Sequence, residues 1–415
     1  MKAKIGILSL GCPRNLVDSE AILGRLNFKG HSIVDINKAD VALINTCAFV
    51  EDAKRESIEA ILDLVQLKKE GKLKKIIVFG CLAQRYKDEL RRKLPEVDAF
   101  IGKVSLNHEQ NRYPITPEHF VYLKICEGCV NNCSFCIIPK IKGRFTSLDE
   151  KSILRKIELF DNKKTSEINI VGQDISGYGI DIFGRPSLAG LLKKIDKKLK
   201  NTHWLRLLYL NPARIDDDLL KIIRDNPRIC KYIDLPIQHI NDRILKLMNR
   251  QVTKKQISAL IEKIRKTIPG VCLRTSVITG FPSESDKEFK ELSDFISETR
   301  FERLGAFVYS REEGTKAYDF KAQVPKKVKV GRFDKIMLIQ QEVSREFNKK
   351  QLGKVIEVLI DEKDKDIYLG RSSFDAPEVD GVVYVKSKNK LKPGDFVKVK
   401  ITDTFEYDLS GEVLE

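Results

Sequence analysis

Three short apolar runs mark the first hundred residues: Ile5-Gly6-Ile7-Leu8-Ser9-Leu10, Val41-Ala42-Leu43-Ile44 and Ile76-Ile77-Val78-Phe79. Behind each comes a stretch with apolar residues at helical spacing, over residues 17–26, 51–67 and 84–94. Strands that are apolar throughout, alternating with helices, predict an open α/β sheet covered on both faces. Residues 104–120 are polar, contain Pro114 and Pro117, and read as a linker. From Val121 onward, strand then helix recurs six times, with strands expected over 121–125, 167–171, 204–210, 232–237, 272–279 and 303–309. Segments 188–199, 219–224, 257–266 and 289–296 between them are amphipathic at the helical period. Six βα units imply a partial parallel barrel, shorter than the usual eight, with its active site in the loops after the strands. A helix over 333–347 leads into five short strands, 355–360, 367–369, 382–385, 396–401 and 412–414, split by Gly, Pro and charged turns. These predict a small antiparallel β-barrel. A multidomain α/β protein is therefore expected, divided at 1–103, 115–345 and 348–415. Its 415 residues suffice for two or three separate cores.

Nine cysteines change the picture, because four fall within eleven residues, Cys126 to Cys136. Thiols this dense in a reducing compartment hold metal more often than disulfides. Cys129, Cys133 and Cys136 are spaced C-x3-C-x2-C, which suits three irons of a [4Fe–4S] cluster with the fourth left open. The plainer alternative adds Cys126 and closes a four-thiolate zinc or ferredoxin-like site. Cys12, Cys47 and Cys81 each follow one of the first three strands by one to three residues. Ligands of open parallel sheets gather at the carboxyl ends of strands, so these three thiols should converge into a second three-thiolate site. Taken singly, each would more often be a buried structural cysteine. Cys230 and Cys272 fit no ligand pattern and read as core residues.

The net charge of +16 favours an anionic partner such as RNA or a ribosome, although lysine-rich surfaces explain it equally well. Residues 347–415 hold 12 Lys and Arg against 14 Asp and Glu, a balance of −2, which leaves +18 for the rest. No apolar run reaches membrane-span length, and residues 5–10 are too short for a signal core. A cytoplasmic protein is expected.

The cysteine word at 129–136 resembles that of the radical SAM superfamily. The resemblance implies that the open iron chelates S-adenosyl-L-methionine (AdoMet), whose reductive cleavage releases a 5′-deoxyadenosyl radical. Phe135 matches the aromatic that this superfamily places near the adenine. Gly172-Gln173-Asp174 resembles the word that meets the methionyl ammonium, with Asp174 accepting; an acidic helix N-cap is the plainer reading. Asp234-Leu235-Pro236-Ile237-Gln238-His239 resembles the fourth-strand word, in which Gln238 would bond the AdoMet ribose or tail. His239 either titrates usefully or serves as a structural hydrogen-bonding group. In the fifth-strand word at 274–284, Arg274 would pair with the AdoMet carboxylate and Gly280 would let backbone approach a ligand.

Gly11-Cys12-Pro13-Arg14-Asn15, Asn45-Thr46-Cys47-Ala48-Phe49 and Gly80-Cys81-Leu82-Ala83-Gln84-Arg85 resemble the N-terminal domain of the methylthiotransferases. That implies an auxiliary [4Fe–4S] cluster on Cys12, Cys47 and Cys81. The last domain resembles the TRAM domain, which often contacts RNA. Two longer words, at 11–20 and 371–381, resemble the branch of this family that modifies a ribosomal protein. The implied reaction adds a methylthio group to the β-carbon of an aspartate in small-subunit ribosomal protein twelve. It needs two clusters, AdoMet, an electron donor and a sulfur donor; a tRNA adenosine is the alternative substrate. The three carboxylates of the word 375–380 are expected to face the basic ribosomal protein by charge complementarity.

Overall fold

The computed structural model describes residues 2–104 and 112–414, so part of the expected linker over 104–120 lies outside the described residues. The N-terminal sheet is built from β1 (Lys4–Ser9), β2 (Ser32–Ile33), β3 (Val41–Thr46), β4 (Lys75–Gly80) and β5 (Ala99–Phe100). All pairings are parallel, in the order β2-β1-β3-β4-β5. The most buried of the longer strands, β3, is central, and helices α1 (Pro13–Phe28), α2 (Glu51–Lys69) and α3 (Cys81–Lys93) follow β1, β3 and β4. Helix α1 opens on Pro13, whose missing N–H and fixed φ suit a first helical position. Helix α2 carries Glu51 and Asp52 in its first turn and Lys68 and Lys69 in its last, in line with the helix dipole. Strands β2 and β5 span two residues each, too short to leave a periodic signal.

The central domain begins with β6 (Phe120–Lys124). A small antiparallel pair, β7 (Cys126–Glu127) and β8 (Thr146–Ser147), brackets the cysteine loop. Then come β9 (Glu167–Val171), β10 (Trp204–Leu207), β11 (Tyr232–Asp234), β12 (Cys272–Thr279) and β13 (Arg303–Val308). The six barrel strands fall into two parallel sheets, β10-β9-β6 and β11-β12-β13. Irregular backbone bonds join them, among them Cys230 N–H to Leu205 O at 3.0 Å and Leu210 N–H to Asp234 O at 3.0 Å. The third and fourth strands are accordingly shorter than their apolar runs suggested. Along each strand the side chains alternate. Leu123, Ile170, Leu205, Ile233 and Leu273 pack beneath the helices, while Tyr122, Trp204, Tyr232 and Cys272 form a separate inner cluster.

Strands β14 (Val355–Asp364), β15 (Ile367–Ser372), β16 (Val383–Lys386), β17 (Phe396–Thr404) and β18 (Leu409–Val413) close into a barrel in the order β14-β15-β16-β18-β17. Four pairings are antiparallel, and β16 with β18 is parallel. Five strands of alternating direction cannot close a ring without one parallel pair.

The segment 371–380, the end of β15 and the loop that follows it, enters the central barrel at the amino-terminal ends of its strands. Each of the six strands gives it at least one polar contact. Tyr122 OH donates to Glu378 (3.1 Å), Arg371 pairs with Glu167 (2.7 Å), and Arg206 donates to Ser373 O (2.8 Å). On the other sheet, Tyr232 OH donates to Asp380 (2.6 Å), Arg274 lies 3.4 Å from Asp380, and Arg303 pairs with Asp375 (2.6 Å). For two of the three carboxylates of 375–380 this overturns the expectation that they face a partner; Glu378 stays exposed. Asp375 and Asp380 point inward, because Arg303 and Arg274 in the lumen need counter-charges.

Candidate active site

The auxiliary thiols meet at the carboxyl edge of the N-terminal sheet, beside the β1/β3 switch point. Cys12 sits at the N-cap of α1, Cys47 follows β3, and Cys81 is the first residue of α3. Asn15 ties their loops together. Its Nδ2 donates to Leu10 O (3.1 Å) and Thr46 O (3.3 Å), and Cys81 Sγ–H donates to its Oδ1 (3.8 Å). Gly11, at φ +86°, must be glycine: a Cβ there would fall 2.9 Å from Cys47 Cβ. Burial pushes the Cys47 thiol above its usual value and the Cys81 thiol up to about 12. Burial raises Cys12 too, but the Arg14 charge and its hydrogen bond outweigh it, and Cys12 ends below its usual value.

Cys129, Cys133 and Cys136 lie on the loop between β7 and the helix Ile138–Lys142. Asn131 aims its backbone N–H (3.4 Å) and its Nδ2 (3.3 Å) at Cys129 Sγ. Arg250 Nη1 donates to Cys133 Sγ at 3.7 Å. Donors directed at sulfur are what a charged thiolate cluster requires. Among the described residues, no three His, Cys, Asp or Glu donors stand close enough to share one metal ion. Three thiols apiece, with donors aimed at Cys12, Cys129 and Cys133, suit a cluster in which each thiolate binds a different iron. Cys126 turns away from its neighbours: it is fully buried, donates Sγ–H to Asp174 O (3.7 Å), and crowds the Gly172 backbone.

A cavity of about 430 Å³ opens from this loop into the barrel, lined by Cys129, Cys133 and Cys136 and also by Phe135, Asp174, Gln238 and Arg274. The structure thus gathers most of the residues the sequence singled out. Several are already engaged. The Asp174 carboxylate takes Arg214 Nη1 (2.7 Å), Asn131 Nδ2 (2.7 Å) and Ser176 Oγ (2.5 Å). Arg274 donates to Asp234 at 3.0 Å. Gln238 sits at φ +71°, a left-handed conformation rare outside glycine and common at binding sites. Gly280 is not among the lining residues. Its φ of +71° and its approach to Lys329, whose Cγ lies 2.3 Å from where a Cβ would stand, explain the glycine by helix packing instead of ligand contact. His239 is buried behind the wall, accepts from Asn241 N–H (3.0 Å), and is driven by burial down to about 4.

Several lining residues escaped the sequence reading. Arg14 spans the two thiol sites: Nε donates to Cys12 Sγ (3.2 Å), Nη1 to Gly172 O (3.3 Å), and its guanidinium lies over the Tyr209 ring (4.5 Å). Tyr209 itself has φ +66°, just after β10, where a strand-end position was the available signal. The N-terminal domain is latched over the cavity on two sides. On one, Glu312 takes Arg85 (2.6 Å) and Lys54 (3.1 Å). On the other, Asp18 and Glu127 share Lys124 and Lys142 in a buried four-charge knot.

Three family profiles match the chain: the uncharacterized protein family UPF0004 over residues 4–102, the radical SAM superfamily over 123–296, and the TRAM domain over 352–414. Among solved structures, the radical S-adenosylmethionine methyltransferase TsrM from Kitasatospora setae superposes with a TM-score of 0.51 at 11% identity. That match covers 89% of this chain and 81% of TsrM, and it speaks to the fold alone. The ribosomal protein uS12 methylthiotransferase RimO of Thermoanaerobacter sp. (strain X514) is 47% identical, over 98% of this chain and 99% of its own. The same-named protein of Clostridioides difficile (strain 630) is 44% identical over 99% of both. Identity of that order across all three domains, with both cysteine trios in place, makes the chain an enzyme that works with AdoMet and [4Fe–4S] clusters, and it belongs to the RimO family of radical SAM methylthiotransferases.

Proposed function

We propose that this chain adds a methylthio group to the β-carbon of an aspartate in ribosomal protein uS12, in the cytoplasm, drawing on external electron and sulfur donors. One observation carries the reading: a single cavity touches the Cys129, Cys133 and Cys136 loop on one side and, through Arg14, the Cys12 site on the other. One thiolate trio on the cavity and the other a single arginine away suit a reaction that opens a C–H bond and delivers sulfur in the same place. When bound, the first cluster with AdoMet supplies the hydrogen-abstracting radical and the second supplies the methylthio sulfur.

The chain's own residues position and shield. Cys129, Cys133 and Cys136 would hold the first cluster, and Cys12, Cys47 and Cys81 the second. Phe135, Gln238 and Arg274 form the wall available to AdoMet. Asp174, closed off by Arg214 and Ser176, holds Asn131 on Cys129 in place of receiving an ammonium itself. The two latches keep the N-terminal domain over the cavity mouth and exclude water.

The test supplies the reconstituted enzyme with AdoMet, reductant and sulfide, and with either small ribosomal subunits or unmodified tRNA. Mass spectrometry should find the methylthio group on the uS12 aspartate. A methylthio group on tRNA adenosine, with uS12 untouched, would replace this substrate with the other. The +18 carried outside the terminal domain is what gives that second reading its standing.

A further inference from the structure

The central barrel does not make the floor of its own cavity. At the depth of Tyr232, Asp234 and Arg274, the wall is completed by Val379, a residue of the terminal barrel's loop. Val379 is 52% exposed and Glu378 before it is exposed too, whereas Asp375, Ala376 and Pro377 of the same loop are buried. An apolar side chain left this exposed while lining a cavity lacks an apolar partner of its own. Nor is the loop loose there. Asp380 accepts from Tyr232 OH (2.6 Å) and from Ala376 N–H (2.9 Å), which closes the turn and pins it to β11. Glu378, on the other side of Val379, accepts from Tyr122 OH at 3.1 Å. Anchors on both neighbours leave Val379 fixed in height, with its methyl groups toward the cavity.

We propose that Val379 is a specificity-determining residue: it is the stop that sets how deep the substrate residue enters, so that the reacting carbon halts at the level of the thiolate loop. The substrate class it fits is a short side chain, such as that of the aspartate proposed above. This rests on the reading of the cavity as the place of reaction. It gives the terminal domain a part in the chemistry separate from any docking by its outer surface.

Val379→Phe raises the floor and Val379→Ala lowers it, and neither disturbs the anchors at Asp380 and Glu378. The reconstituted variants would be compared with wild type on whichever of the two substrates the wild type modifies. Failure of the uS12 assignment and failure of the floor are thereby read separately. Val379→Phe should raise the substrate KM by about tenfold or more, while AdoMet affinity, measured by equilibrium dialysis, stays within about twofold. Val379→Ala should raise the ratio of 5′-deoxyadenosine released to methylthio groups transferred by about threefold or more, because a residue that overshoots is misplaced for sulfur delivery. Iron content and circular dichroism establish that both variants are intact. Wild-type KM and wild-type ratio in both would overturn the proposal. So would a loss of AdoMet affinity in Val379→Phe, which would put AdoMet and not the substrate against the floor.

Discussion

Replacing Asp18 by Asn tests how the two iron–sulfur domains are held together. Asp18 lies on α1, and Lys124, Glu127 and Lys142 lie on the central domain around the cysteine loop; all four are under 10% exposed. The knot is neutral, two lysines against two carboxylates, with Lys142 lying 3.2 Å from both Asp18 and Glu127 and Lys124 lying 2.6 Å from Glu127. At an effective dielectric near 20, a pair at that range is worth roughly 5 kcal/mol before desolvation. Asp18→Asn keeps the shape but leaves one buried positive charge uncompensated, a defect that costs about 3–5 kcal/mol. Three domains do not unfold as one, so the assay is native-state hydrogen exchange in β6 and α1. Exchange there should quicken by roughly a hundredfold, the equivalent of about 3 kcal/mol. Adding Lys142→Met removes the surplus charge and should recover most of the loss. Unchanged exchange in the single variant, or a further loss in the double, would show that the knot is not what joins these domains.

Changing Cys129, Cys133 and Cys136 together to Ala should leave one reconstituted cluster per chain by iron and sulfide analysis, and so should changing Cys12, Cys47 and Cys81; loss of all iron from either folded variant would contradict separate sites. Cys126→Ser should retain full iron content, since its thiol is turned to Asp174 O. His239, lowered by burial to about 4, stays neutral in the fold while the unfolded chain protonates near 6.5. Its contribution to stability is therefore complete above pH 6.5 and is lost as pH falls toward 4. His239→Asn should abolish that pH dependence in local hydrogen exchange and leave the pH–rate profile between 6.5 and 8 unmoved, as no ionisation of this group falls there. Glu284, Glu288, Glu291, Arg243 and Arg332 surround it, and their charges oppose one another.

The cysteines were legible because their positions follow from topology: a residue just past a parallel strand reaches the ligand edge, whatever the rest of the chain does. Gln238, four residues past β11, was placed on the cavity wall for the same reason, whereas Arg274 lies inside β12 and was found only as part of its word. Gly280 misled, because the sequence cannot tell a glycine that admits a ligand from one that admits a helix such as Lys326–Lys349. Arg14 was visible only as part of a word. Its function depends on how two domains pack, bringing it to Gly172 across 158 residues of sequence. Asp375 and Asp380 were read as surface because acidic residues usually are. Their arginine partners sit on β12 and β13, in strands that looked like ordinary barrel wall. The split between β10 and β11 was equally hidden, since an apolar run registers burial and not the backbone ladder.

The loop that fills the central barrel bears on how this architecture can change over generations. Family profiles divide the chain into three successive modules, as if each could be exchanged like a cassette. Yet Arg303 of the middle module pairs with Asp375 of the last one, and Glu167, which also holds Arg206, takes its second arginine, Arg371, from there. A recombinant inheriting a foreign terminal barrel would face those buried charges with the wrong complement. The two modules must therefore travel together, and a shift in what the enzyme accepts must be written into both at once.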